Sequence, residues 1–167
     1  MAVRPIVRYP DPSLKLLAEP FSGSADEAEA LLGDLRDTMR AAPATVGLAA
    51  PQIEVAIRAF VLDVSGHRRA TSSQGLVELL DPVLIASDGS EVVREGCLSV
   101  PDLTANVRRA TRIEIEGRDS SGELRRYEME GFEARAALHE LDHLDGLLIL
   151  DRVASAGDVF ARKVYGG

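Results

Sequence analysis

Five consecutive residues, His139-Glu140-Leu141-Asp142-His143, constrain this chain more than anything else in it. Two histidines four apart share one face of a helix, with Cβ atoms about 5–6 Å apart. One divalent ion can take an imidazole nitrogen from each. Glu140 is turned about 100° further round the helix, which sets its carboxylate beside a water in an open coordination position. The flanking residues supply the helix: Phe132 to Leu144 is rich in Ala, Leu, Glu and Arg, which are good helix formers. Gly146 suits the stop that follows. The bland alternative is a pair of surface histidines facing Asp142 or Asp145. Two of the chain's three histidines fall in this motif, which weighs against it. The third, His67, sits in the polar run from Ser65 to Gly75 and is expected to be solvated.

A catalytic metal site needs a third protein ligand and a position left open. One related motif carries a further histidine six residues after the second, but position 149 is Ile. No Glu follows Glu140, and Asp145, Asp151 and Asp158 lie on or near the same helix end. The strong remaining candidate is upstream: Cys97, the only cysteine, in Glu95-Gly96-Cys97-Leu98-Ser99-Val100-Pro101. A lone cysteine is most often a small buried hydrophobe. Here Gly96 frees the backbone to bend or to approach another group, and Ser99 and Pro101 are expected to end the strand. A thiolate offered from such a bend is a good metal ligand. A second unusual segment is Val46-Gly47-Leu48-Ala49-Ala50-Pro51-Gln52, small and apolar with one amide side chain. Gln52 brings an N–H donor able to polarise a carbonyl; the plainer reading is a buried turn.

The rest of the chain reads as α+β: antiparallel strands around the metal-binding helix, with a further helix near the N-terminus. Ser24-Ala25-Asp26-Glu27 fits a capping box. Leu31, Leu32, Leu35 and Met39 follow at helical spacing up to Pro43. A loop is expected from Pro43 to Gln52, then strands over Ile57–Leu62, Val77–Ile85, Glu91–Arg94, Thr104–Val107, Arg112–Glu116 and Leu124–Met129. Asp158 to Tyr165 is expected to form a helical turn or two. The 167 residues (1–167) suit a single domain. Asp+Glu outnumber Lys+Arg 27 to 19, a net charge of −8, which argues against nucleic acid as the main partner. No run approaches the roughly 20 apolar residues of a membrane span. The start lacks an apolar signal core, and one cysteine forms no internal disulfide. A cytoplasmic location is the expectation.

Taken together, Gly47-Leu48-Ala49-Ala50-Pro51-Gln52, Glu95-Gly96-Cys97-Leu98-Ser99 and His139-Glu140-Leu141-Asp142-His143 resemble, in order and spacing, the three motifs of the peptide deformylases. The resemblance runs from Ile6-Val7-Arg8-Tyr9-Pro10 to Asp151-Arg152. It implies that Cys97, His139 and His143 hold one divalent metal, Fe²⁺ by preference with Zn²⁺, Ni²⁺ or Co²⁺ as substitutes. It implies Glu140 as general base, with Gln52 and the Leu98 backbone N–H as donors to the developing oxyanion. Val46, Gly47, Glu95, Gly96, Phe132 and Ala136 would lie along the substrate, the methionine pocket being lined by Val46, Phe132, Ala136 and His139. The implied substrates are N-formyl-methionyl peptides, as nascent chains near the ribosome. Two positions depart from the family's usual pattern. Thr45 replaces a common glycine, and a β-branched residue does not readily take a positive φ. Leu138 stands where Gln is frequent. Arg109 reads equally as a solvated strand charge or as a partner of Glu95. The competing classes are a small zinc endopeptidase, which the absence of a downstream Glu disfavours, and a non-catalytic binding module, which an intact motif set disfavours.

Overall fold

The computed structural model describes residues 2–163. Ser24 caps helix α1 (Ala25–Ala41): its hydroxyl accepts from the Glu27 N–H while the Glu27 carboxylate accepts from the Ser24 N–H, the reciprocal box expected. Eight strands follow: β1 (Gly47–Ala49), β2 (Ala59–Leu62), β3 (Val77–Asp88), β4 (Glu91–Cys97), β5 (Val100–Arg109), β6 (Arg112–Arg118), β7 (Leu124–Glu130) and β8 (Val159–Ala161). Helix α2 (Gly131–Leu144) lies between β7 and β8 in the chain.

Two antiparallel sheets form, one in the order β1-β2-β3-β6-β7 and one in the order β4-β5-β8. Strand β2 shows why the larger sheet is covered twice. Its alternate residues point to opposite faces: Phe60 and Leu62 pack toward α2 with Ala137, Leu141 and Leu144, while Ala59 and Val61 pack toward α1 with Leu32, Leu35 and Met39. All four are buried, so the strand carries no polar alternation. The smaller sheet has its own core of Val100, Ala105 and Val107 with Leu14, Leu148 and Ile149.

The two sheets are joined by an N-terminal strap. The Val7 N–H donates to the Gln52 carbonyl at 2.8 Å, the Tyr9 N–H to the Ser99 carbonyl at 2.7 Å, and the Ala18 N–H to the Leu144 carbonyl at 2.9 Å. Gly146 makes room for it: a Cβ there would stand 2.6 Å from the Lys15 carbonyl oxygen, and its φ of 72° is the left-handed value of a helix stop.

Four expectations need correction. The segment expected as a loop from Pro43 to Gln52 contains β1 and a 3₁₀ turn over Ala50–Ile53. Pro101 does not end a strand; it lies inside β5, which begins at Val100. Residues from Asp158 form no helical turn, because β5 offers an open edge and Val159–Ala161 pairs with Leu103–Ala105; positions 164 and 165 of that expectation lie outside the described residues. His67 is half-buried, its ring stacked on Phe132 at 4.2 Å between centroids.

Candidate metal centre and active site

Three elements deliver the site. The β4–β5 hairpin turns through Leu98 and Ser99, with Cys97 opposite Val100, so the thiol sits at the strand's end. Helix α2 brings His139 and His143 to it on one face. The Cys97 sulfur and the two imidazoles offer ligand atoms that all lie within 4.8 Å of one another. The Cys97 Sγ to His143 Nε2 distance is 3.3 Å, and the histidine rings meet edge-on at 5.0 Å. Donors around one tetrahedral ion stand roughly 3.6 Å apart, so a thiolate and two imidazoles at this spacing fit a single divalent metal. Burial pushes the Cys97 thiol up, but the adjacent His143 and His139 outweigh it and hold the thiol well below its ordinary value, as a ligand requires.

Buried charge fixes the orientation of the ligands. His139 Nδ1 meets Glu95 Oε2 at 3.0 Å, which leaves Nε2 for the metal. Glu95 also accepts Arg109 Nε at 2.6 Å, Arg109 Nη2 at 2.9 Å and Arg135 Nη1 at 2.8 Å. Burial alone would raise the Glu95 carboxyl, but the hydrogen bonds from His139 and Arg109 hold it well below the usual range. Arg109 then reaches across to Asp142 at 2.8 Å, and Arg152 donates to the other Asp142 oxygen at 3.0 Å. Of the two readings open for Arg109, the structure shows the paired one. Glu95, placed by resemblance along the substrate, does reach the cavity wall, yet its oxygens are occupied by this network. Arg135 was invisible as a site component: in sequence it is an ordinary helix charge, because its partners lie 28 to 44 residues away. Asp142 stands within the third motif, but its pairing with Arg109, 33 positions back, was not readable there.

Glu140 is buried beside the cluster, and its Oε2 has no hydrogen-bond partner among the described residues. Burial raises its pKa above the ordinary carboxylate value. A Cβ built on Gly47 would stand 2.5 Å from Glu140 Oε1, so the glycine is what admits this carboxylate. Gln52 is fixed at both ends: its Oε1 accepts the Ala49 N–H at 3.0 Å, and its Nε2 donates to Ser99 Oγ at 3.1 Å and lies 3.8 Å from Cys97 Sγ. Thr45 escapes the strain its β-branch would incur, because the left-handed residue of this loop is Ala44, with φ 54°.

These groups open on a cavity of about 350 Å³, whose wall includes Val46, Gly47, Gln52, Gly96, Leu98, Phe132, Ala136, His139 and Glu140. Asp145, Asp151 and Asp158 stand outside it, paired with Arg58, Lys15 and Asn106 respectively. A buried thiolate–imidazole set with a carboxylate left unpartnered at the head of a cavity suits a hydrolase that works through one metal ion.

The comparisons with known proteins agree. The family model described as polypeptide deformylase matches residues 3–158. A peptide deformylase of Halothermothrix orenii is 39% identical over 158 residues, covering 95% of this chain and 98% of its own. One of Acidobacterium capsulatum is 39% identical over 167 residues, covering 98% and 95%. Among solved structures, peptide deformylase of Thermotoga maritima superposes with a TM-score of 0.83 at 33% identity, over 93% of this chain and all of that one. That of Legionella pneumophila gives 0.83 at 34%, over 92% and 87%. The chain belongs to the polypeptide deformylase family, and its enzyme class is metal-dependent amide hydrolysis. The reaction is removal of the N-formyl group from newly made polypeptides, with release of formate.

Proposed function

We propose that Cys97, His139 and His143 hold one divalent ion, Fe²⁺ by preference, and that Glu140, Gln52 and the Leu98 backbone N–H carry the chemistry around it. The observation that carries this reading is the unpartnered Glu140 Oε2 beside three ligand atoms within 4.8 Å of one another. A bound divalent ion supplies Lewis acidity, lowering the pKa of water and polarising a carbonyl. Glu140 Oε2 accepts a proton from the attacking water, and its raised pKa makes it a competent carrier of that proton. As the water oxygen bonds to the formyl carbon, charge gathers on the formyl oxygen. Gln52 Nε2 and the Leu98 N–H donate to it; one such donor is worth about 2.7–4 kcal/mol. Glu140 returns its proton to the departing amine nitrogen as the C–N bond breaks, giving formate and a free N-terminus. Val46, Phe132, Ala136 and His139 form the wall against which the methionine side chain rests, with Gly47 and Gly96 along the peptide backbone.

We further infer that residues 1–167 work as one catalytic domain, since the strap and α2 tie both sheets to one site. The expected setting is the cytoplasm, on nascent chains near the ribosome. No helix among the described residues is long and apolar enough to cross a membrane. The test is formate release from formyl-Met-Ala by protein loaded anaerobically with Fe²⁺, beside Glu140→Gln prepared identically. Turnover falling by about 10²–10⁴ at unchanged metal content is the expected result. Undiminished turnover in Glu140→Gln overturns the role of Glu140. Absence of turnover in the wild type with stoichiometric metal overturns the reading for this substrate.

A further inference from the structure

Four arginines line the catalytic cavity: Arg68 and Arg69 from the loop after β2, Arg94 from β4 and Arg162 just past β8. Ion pairs engage nine other arginines, and none of these four has a carboxylate partner among the described residues; Arg8, Arg40, Arg108 and Arg112 are likewise without an ion pair but lie off the cavity, so what distinguishes the four is their gathering at one place. Arg135, which also reaches the cavity, is different: its donors are taken by Glu95 and by the Val107 and Glu91 carbonyls. The carboxylates of the wall do not answer the four. Glu95 is held by Arg109, Arg135 and His139, and Glu140 lies buried beside Gly47. A chain of net charge −8 thus gathers unpaired positive charge at one mouth.

Two of the four, Arg94 and Arg162, are held in place by their surroundings. Arg94 lies over the Phe160 ring at 3.7 Å, a cation–π contact, and its Nε donates to Asn106 Oδ1 at 3.5 Å; together these anchor the side chain while its terminal nitrogens keep their charge unanswered by any carboxylate. Pairing of β8 with β5 sets Phe160 opposite Thr104 and carries Arg162 back to the site. There Arg162 Nη2 lies 3.4 Å from the Cys97 carbonyl, directly over Gly96. A Cβ on Gly96 would stand 2.3 Å from that nitrogen. The guanidinium therefore borders the path of any peptide that lies along Gly96.

We propose that these arginines make the cavity mouth a receptor for a carboxylate that the substrate carries beyond its first residue. This rests on the deformylase reading and adds a substrate preference to it. The carboxylate has two sources, an acidic side chain downstream of methionine or the C-terminus of a short peptide. A nucleic-acid backbone is the less suited anion. The four charges share a cavity of about 350 Å³ with Cys97 and Glu140 instead of spreading along an outer face, and an overall negative chain repels a polyanion.

The experiment compares formyl-Met-Ala-Glu-amide, formyl-Met-Ala-Lys-amide, formyl-Met-Ala-Ala-amide and formyl-Met-Ala-Ala with a free C-terminus. The expected kcat/KM is about fivefold or more higher for the Glu peptide than for the Lys peptide, as a few partly exposed charge pairs would give. The difference lies in KM and shrinks as salt is raised. The free acid against its amide reads the terminal carboxylate. In Arg94→Gln/Arg162→Gln the Glu-to-Lys ratio falls toward one, and Arg68→Gln/Arg69→Gln, in an exposed loop, reduces it as well. Affinities of unformylated Met-Ala-Glu-amide and Met-Ala-Lys-amide give the same comparison without turnover. Equal KM and equal affinity for the two peptides, with the Ala peptide hydrolysed, overturns the proposal and leaves the deformylase reading standing. A preference that survives all four substitutions, or equal peptide affinities alongside tight binding of a short single-stranded RNA, also overturns it. Failure to turn over any formyl peptide counts against the deformylase reading, while the affinities still decide this one.

Discussion

The Glu140 carboxylate occupies the space that a side chain at Gly47 would fill, with Oε1 2.5 Å from the position of the missing Cβ. The glycine of the first motif therefore has a steric duty toward the third motif, in addition to any pairing with substrate. Gly47→Ala is expected to displace Glu140 by a few tenths of an ångström to an ångström and to lower kcat about 10²-fold. Gly47 does not adopt a left-handed φ, so the backbone itself tolerates alanine. Formate-release kinetics with a circular dichroism check separates misplacement from misfolding; kcat within twofold of wild type would sink the idea.

Arg109 joins Glu95 to Asp142 deep in the protein, with its side chain 4% exposed. Arg109→Leu leaves two buried carboxylates short of a partner and is expected to cost about 3–5 kcal/mol of folding stability. Arg109→Lys keeps the charge but not the fork that serves Glu95 through two nitrogens, and should fall between. Urea denaturation of the three proteins checks the order. A leucine variant as stable as wild type would mean that the network contributes orientation alone.

Gln52 is gripped by the Ala49 N–H, which decides that its Nε2 and not its Oε1 faces Cys97 and Ser99. Gln52→Leu, similar in size and without donors, is expected to lower kcat by about 10²–10³ while metal content stays at one per chain. Loss of metal along with activity would reassign the residue to holding the site together.

Glu133 lies in the first turn of α2, buried, with Oε2 accepting the Gln74 N–H at 2.7 Å and Oε1 without a hydrogen-bond partner among the described residues. Burial raises its pKa above 4.5, opposed by the Gln74 hydrogen bond. The folded state therefore holds this proton more tightly than the unfolded chain. Its stabilising contribution is complete below about pH 4.5 and drains away as pH rises through the raised value. Glu133→Gln removes that dependence, so the Tm of the variant should gain on wild type between pH 5 and 8. Parallel Tm profiles would show that Glu133 titrates normally.

Local patterns were readable in the sequence where the cause is local. The Ser24–Glu27 box and the apolar face of α1 lie within one helix, and the spacing of His139 and His143 is itself a helix geometry. What depends on distant partners was not readable. Strand β1 is three residues long and exists because β2 pairs with it. Val159–Ala161 is a strand because β5 has an edge to fill. His67 reads as a solvated loop residue until Phe132, 65 positions on, is brought under its ring. The same holds for Gly47, whose small size is explained by a carboxylate 93 positions away.

The strap of residues 7–18 donates one backbone N–H to each of the three motif regions: Gln52, Ser99 and Leu144. Partial opening is thereby penalised collectively. A fluctuation that frees the Cys97 hairpin or the end of α2 must also peel the strap from its neighbours. The amides of Val7, Tyr9 and Ala18 should accordingly exchange with solvent at one common rate, as a single cooperative unit. The Cys97 hairpin and the end of α2 thus come loose at the pace of the slowest of three local motions, not the fastest, and the persistence of the ligand geometry is governed by a segment that contributes no ligand at all.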